Sequence, residues 1–399
     1  MLYEAKFVDG GMRVDREPEV SASIPKKTGS AAGMDMEPIA CYVWTDTQII
    51  NAVNAKAAFY PEREAVLFVL MYERVSTVLL DAVEQTRTFQ RIVRIQPPPE
   101  YQELPVWQRR LRLLFCGRGL QHYFDGYVGN ARYSRLLVSG YWAHTLFMLK
   151  AMYRNNPDIR VALLEEGIGT YYRTRARTCQ MTPRTGMAER LGRAVYFGRF
   201  AGKAADMLDQ AFVYRPEFIC MEGLTTFQLP ALSGNKELFG PLLQCWNALD
   251  TYGTYARAQT YLFSFPGNGD VQKAETQICD IIESQYPDFL QALHPMREGT
   301  TGIPFEAICA CDDISDRLLI GCCSSCMHSP KNSFDQEPYV IFTYLLYPKS
   351  AGLRMDEAAF YAENLKRSYR DPSRIMVPQS LAELNDALEH VKTRRRKMV

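Results

Sequence analysis

The chain predicts an α/β protein of two doubly wound domains in series, with a ligand cleft between them. Three observations lead there. Its 399 residues exceed what one hydrophobic core comfortably holds. Short continuous apolar runs, which suit strands buried on both faces of a parallel sheet, alternate with stretches of helical spacing. The alternation then restarts at "TYLFSFPGNGD", which places a boundary near residue 258.

The elements follow in order. Residues 1–36 carry mixed charge, Gly and Ser without a sustained period and are expected to form a flexible leader. The first domain, 37–258, opens with the buried-strand run "IACYVW". The helical "TDTQIINAVNAKAAF" follows, its Thr and Asp suited to capping. "AVLFVLMY" is the next strand, "RVSTVLLDAVEQT" the next helix, and "RIVRI" a third strand. The helical "LPVWQRRLRLLFCGRGLQHYF" and "YWAHTLFMLKAMYR" bracket a weaker strand at "SRLLVSG", and "RVALLEEG" closes the series. Residues 186–210 and 236–258 read as helices with "EFICME" between them. The second domain, 259–350, offers strands at "TYLFSF", "DFLQALHP", "FEAICACD", "RLLIGCC" and "YVIFTYLLY", and a helix at "VQKAETQICDIIESQ". Residues 351–399 read as two helices packing back, ending in a basic tail.

Composition narrows the function classes. With 47% hydrophobic and 23% charged residues the chain is globular rather than disordered. A net charge of +1 argues against a protein that coats nucleic acid. No run of eighteen apolar residues is present, and "MLYEAKFVDGGMRVDREPEV" lacks the apolar centre of a signal peptide. The expected location is the cytoplasm, where the eleven cysteines would be mostly reduced.

Doubly wound sheets bind ligands at the carboxyl ends of their strands. Three polar clusters pass that filter: Glu165-Glu166-Gly167, His294-Pro295 and Ser324-Ser325. A carboxylate at a strand end can take a proton from a hydroxyl when burial tunes its pKa, and Gly167 and Gly169 allow a sharp turn and close backbone approach. A histidine there can protonate or stabilise a departing phosphate, and Pro295 stiffens the chain after it. Alone, the first two clusters also read as ordinary solvated turns. His122, His144 and His390 fall within helical patterns and read as packing or surface residues.

The third cluster sits in "IGCCSSCMHSP", which poses a choice between cysteines and serines. A zinc site pairs two short-spaced ligand couples, typically separated by two to four residues. Cys323 and Cys326 fit, but Cys309 and Cys311 have one residue between them and would share a strand face as small core side chains. "MHSPKNS" is a poor helix start for a redox pair. The serines remain: hydroxyls and exposed N–H groups at a strand end hold an anion without a metal.

In this order, E-E-G, H-P and S-S resemble the three signature motifs of bacterial sialyltransferases, nearest the capsular polysialyltransferase and lipooligosaccharide sialyltransferase group. The resemblance extends diffusely from about residue 38 to 350, including "CYVWTDTQIINAV" and "GIPFEA". It departs at Ala292, where members often carry a lysine two residues before the motif histidine, and in the cysteine-rich setting of the serines. The resemblance implies a GT-B type fold of two Rossmann-like domains and inverting transfer of sialic acid from a CMP-activated donor to a glycan acceptor. By it, Glu165 or Glu166, with a lean to Glu165, is the base on the acceptor hydroxyl, and His294 assists the leaving phosphate. Ser324 and Ser325 bind that phosphate, and Gly267, Pro295 and Glu306 serve the donor nucleotide. No cofactor and no metal are expected: no D-x-D triplet occupies a nucleotide loop, and Asp312-Asp313 read as solvated acids. Nucleic acid is not an expected partner. The basic "VKTRRRKMV" is a candidate peripheral contact with the inner membrane face, or a solvated helix face. Rival expectations are transfer of another CMP-activated keto sugar such as Kdo, a non-catalytic nucleotide-sugar binder, and a zinc-stabilised interaction module.

Overall fold

The computed structural model describes residues 37–72, 75–98, 106–167, 169–172, 187–249, 252–265, 269–292, 303–348 and 355–398; the expected leader lies outside them. The first half runs β1 (Ile39–Val43), α1 (Asp46–Phe59), β2 (Ala65–Leu70), α2 (Thr77–Thr86), β3 (Arg91–Ile95) and α3 (Val106–Val128). It continues with β4 (Arg135–Val138), α4 (Ala143–Asn155), β5 (Arg160–Leu164), the single turn α5 (Gly169–Tyr172), α6 (Met187–Met207), β6 (Leu208–Val213) and β7 (Thr225–Gln228). Helices α7 (Lys236–Gln244) and α8 (Tyr252–Arg257) lead to β8 (Thr260–Phe263), α9 (Asp270–Gln285), β9 (Leu290–Ala292), α10 (Phe305–Cys311) and β10 (Leu318–Gly321). A 3-10 turn at Ser325–Met327 runs into α11 (Ser329–Phe334), followed by β11 (Tyr339–Phe342), α12 (Met355–Ser368), β12 (Ile375–Met376) and α13 (Leu381–Met398).

The strands make two parallel sheets, one ordered β3-β2-β1-β4-β5-β6-β7 and the other β12-β11-β10-β8-β9. This is the doubly wound α/β architecture that the strand–helix alternation predicts. Strand order reverses between β1 and β4 in the first sheet and between β8 and β10 in the second. Chain connections diverge at such points and leave a crevice at the carboxyl edge. The central strands β1, β2, β10 and β11 are buried throughout, which is why they read as unbroken apolar runs.

Two apolar clusters hold these layers. One contains Tyr42, Phe68, Phe124, Phe147 and Phe197 on one face of the first sheet. The other passes from Leu67 and Val69 through Leu242, Leu243 and the fully buried Trp246 to Leu319 and Ile341 of the second sheet. The same core therefore carries both sheets. Helix α12 reaches the first half: Tyr172 donates a hydrogen bond to Asp356 and packs on Phe360 and Tyr361.

Two expectations are corrected. "FEAICAC" is the helix α10, not a strand; Cys309 is buried and Cys311 exposed, so they do not share one face. An apolar run this short carries no period to separate strand from helix, and extended Pro304 starts the helical turn. The region expected to stay helical to residue 210 instead leaves α6 at Met207 and enters β6 at Leu208, with no Gly or Pro between them to mark the change. β7, "TTFQ", is a half-exposed edge strand that sequence pattern also missed.

Candidate active site

The E-E-G cluster lies directly beyond β5, and its two acids have separate surroundings. Glu165 is buried at 5% exposure. Its Oε2 accepts from the Tyr171 hydroxyl and from the Tyr214 backbone N–H at 2.8 Å. Its backbone carbonyl accepts from Asn51 Nδ2 at 2.9 Å, and its N–H donates to Phe212 at 3.0 Å. Burial pushes its carboxyl up to about 7, against the lowering effect of the Tyr171 and Tyr214 bonds. Glu166 is half-buried and accepts from Gln48 Nε2 at 3.2 Å, while Gln48 Oε1 accepts the Trp44 N–H at 2.9 Å. The Glu166 N–H donates to Thr170 Oγ1 at 3.0 Å, which closes the turn onto α5.

Gly167 joins this loop to the other sheet. Its φ is +136°, a region closed to most side chains. A Cβ placed there would come within 2.8 Å of Ser325 Cβ and closer still to Ser325 Oγ. Ser324 and Ser325 stand beyond β10, where Ser324 caps the 3-10 turn by accepting from Cys326 N–H at 3.3 Å. The E-E-G and S-S clusters, far apart in sequence, are thus in van der Waals contact at the carboxyl edges of the two sheets. Gly169 opens α5.

Glu306 belongs to the same junction. Seated in the first turn of α10, it accepts from Ser329 Oγ at 2.7 Å, and the Thr47 hydroxyl of the first half is near enough to favour its charged form. Ser329 Oγ also lies 3.2 Å from the Ser325 carbonyl. Burial raises the Glu306 carboxyl, and Glu306 in turn raises both Glu165 and Asp46. Asp46 accepts from the Ser76 N–H at 2.9 Å and is pushed up to about 7, chiefly by burial. Asp46, Glu165 and Glu306 therefore form a buried acidic junction between the halves. His294, Pro295 and Gly267 lie outside the described residues.

In "IGCCSSCMHSP" the cysteines beside the serines are core packing residues. Cys309 and Cys322 are buried, and Cys323 and Cys326 pack against the same core. Burial raises all four thiols, Cys323 and Cys326 to about 12. Among the described residues no three His, Cys, Asp or Glu side chains converge as a metal-binding group. His328 is buried between Phe342 and Tyr361, and burial lowers its imidazole to about 3, so it is neutral.

Sequence reasoning missed Asp46, Thr47, Gln48, Tyr171, Tyr214, Arg215 and Ser329. The strand-end rule would have selected Asp46–Gln48, which follow β1, and Tyr214–Arg215, which follow β6, had β6 been recognised. The basic tail is partly engaged inside the molecule: Arg394 pairs with Asp371 at 3.0 Å and Arg395 donates to the Gln259 carbonyl at 3.0 Å. Among the described residues no helix is long and apolar enough to cross a membrane.

No family model and no curated relative matches the sequence. Solved structures of similar shape include the Neisseria meningitidis UDP-GlcNAc 2-epimerase bound to UDP-GlcNAc, with TM-score 0.45 and 10% identity, covering 90% of this chain and 100% of that one. The S. aureus MnaA–UDP structure gives 0.45 and 13%, covering 90% and 97%. Phytolacca americana UGT2, complexed with UDP-2fluoro-glucose and pterostilbene, gives 0.44 and 11%, covering 91% and 93%. At this distance the likeness assigns neither a family nor a donor to this chain.

Proposed function

We propose that the chain is an inverting, metal-independent glycosyltransferase that moves sialic acid from a CMP-activated donor to a glycan acceptor. The observation that carries this reading is the contact of Gly167 with Ser325, which joins a carboxylate pair from one sheet to a hydroxyl pair from the other. Transfer from a nucleotide-activated keto sugar needs those two functions on opposite sides of the anomeric carbon.

In the proposed reaction an acceptor hydroxyl oxygen bonds to the anomeric carbon while the bond from that carbon to the phosphate oxygen breaks. The electron pair leaves with cytidine monophosphate. Ser324 and Ser325 hydrogen-bond the phosphate as its charge grows, and His294 stabilises or protonates it. The acceptor proton passes to a carboxylate. Both carboxylates of the pair remain in reach of that role by sequence, and their surroundings favour Glu166. It is the half-buried member, whereas Glu165 is committed through Oε2 and its backbone to Tyr171, Tyr214 and Asn51. One displacement on this geometry inverts the anomeric centre. Uniting donor and acceptor in a closed crevice lowers the entropic part of the barrier.

The test is a donor screen with cytidine-activated sialic acid and Kdo and with uridine-activated sugars, run in excess chelator. Expected is turnover of the sialic acid donor, lost by about 10²–10⁴-fold in Glu166→Gln. Turnover confined to uridine donors, or dependent on an added divalent ion, refutes the reading.

A further inference from the structure

The structure carries a second recognition element on the first-half side of the crevice. Arg215 follows β6 directly, beside the strand that ends in the two acids. Its backbone N–H donates to the Tyr171 hydroxyl at 3.1 Å, the hydroxyl that also bonds Glu165. Its guanidinium crosses to the second half, with Nε 3.4 Å from Asn332 Oδ1 and Nη2 3.4 Å from the Lys331 carbonyl in α11. Both bonds are at the long end for N–H···O contacts, and both go to neutral oxygens.

Arg135 pairs with Asp209, Arg317 with Asp312 and Arg374 with Asp371. Arg63 and Arg395 also donate only to neutral oxygens, but theirs belong to Glu37, Ser134 and Gln259, which precede β1, β4 and β8 at the amino ends of the sheets. Arg215 is at a carboxyl end, where ligands bind. Among the described residues Arg215 forms no ion pair. The Arg215 charge already lowers the nearby Glu165 carboxyl, but its hydrogen bonds go only to neutral acceptors. A half-buried guanidinium bonded in that way, weakly and across the junction of the halves, is prepared to exchange those bonds for an anion, because a planar two-pronged pairing with a carboxylate is much stronger.

Two anions are available in an acidic-sugar nucleotide, the phosphate and the sugar carboxylate. The serines that would take the phosphate stand on the second half, at the end of β10. Arg215 stands on the first half next to the acids, where the sugar would lie between donor phosphate and acceptor. Resting on the glycosyltransferase reading above, we infer that Arg215 is the specificity residue for this site and that it pairs with the carboxylate of an acidic sugar donor.

Calorimetric titration of the full chain separates this role from a phosphate or purely architectural one. Cytidine monophosphate lacks the sugar carboxylate, and CMP-sialic acid carries it. Arg215→Met should weaken CMP-sialic acid by about 10- to 100-fold, the scale of lost hydrogen bonds to a charged group, while CMP binding stays within about twofold. Arg215→Lys should recover part of the loss. Equal weakening of both ligands would assign Arg215 to the phosphate or to the domain junction, and no change in either would remove it from the site; each overturns the inference. UDP-glucuronic acid against UDP-glucose repeats the comparison on another base. If only the uridine ligands bind, and Arg215→Met abolishes the preference for the acidic sugar, the donor assignment fails and the role of Arg215 stands. A wild-type chain that binds none of these ligands overturns both.

Discussion

Gly167→Ala probes the contact on which the site rests, and its cost follows from two separable sources. The first is backbone strain: φ of +136° is occupied almost only by glycine, and holding an alanine in such a region costs about 1–3 kcal/mol. The second is overlap: the new Cβ would sit 2.8 Å from Ser325 Cβ, an atom that cannot turn away without moving its backbone. Overpacking of that kind typically costs a further ~1–3 kcal/mol. The sum is about 2–6 kcal/mol, read from guanidinium unfolding. Only the second source depends on Ser325. Ser325→Gly removes the side chain that the added methyl would strike, so in the double variant the overlap disappears and the strain remains. A double-mutant cycle should therefore return a coupling of about 1–3 kcal/mol, with the pair less destabilised than the two single variants added together. Additivity within about 0.5 kcal/mol would show that the loop beyond β5 and the turn beyond β10 do not touch, and the shared crevice would be lost with it.

Two further outcomes are expected. Glu165 has a folded-state carboxyl near 7 against an ordinary 4.5, so the folded chain holds more protons between those values. Its contribution to stability is complete below about pH 4.5 and is lost as pH rises through about 7. Glu165→Gln should flatten that fall in unfolding free energy measured from pH 5 to 8, leaving the share of Asp46, which is raised likewise; an unchanged slope would refute the assignment. With thiol reagents, the exposed Cys220 and Cys311 should react in the native chain, whereas buried Cys309 and Cys322 should react only on unfolding. Rapid native labelling of Cys322 would contradict its packed role.

The fold was legible wherever burial was uniform. β1, β2, β10 and β11 are enclosed on both faces, and enclosure by helices leaves a contiguous apolar run that needs no partner to be recognised. Where that condition fails, the pattern fails. β7 is a half-exposed edge strand of Thr, Thr, Phe and Gln, and β6 begins on the residue after a helix ends. α10 is the converse: its first five residues are all buried, so it presents the unbroken run of a strand. Periodicity reports asymmetry of environment, and an element with no exposed side has none to report.

The candidate site shows a different boundary. Position along the chain, combined with the carboxyl-edge rule, was enough to select Glu165, Glu166, Ser324 and Ser325, because a parallel sheet collects its strand ends on one edge. It was not enough to separate adjacent acids. What distinguishes Glu165 from Glu166 is a hydroxyl six residues on and a backbone N–H forty-nine residues on, brought to one oxygen by α5 and by the pairing of β5 with β6. Those partners come from segments whose strand character was itself hidden. Missing β6 therefore also hid Tyr214 and Arg215, and with them the reason one carboxylate is enclosed while its neighbour faces Gln48. Candidate residues can be named from where strands end, but their protonation and surroundings depend on which strand lies alongside, and that is a property of the sheet order.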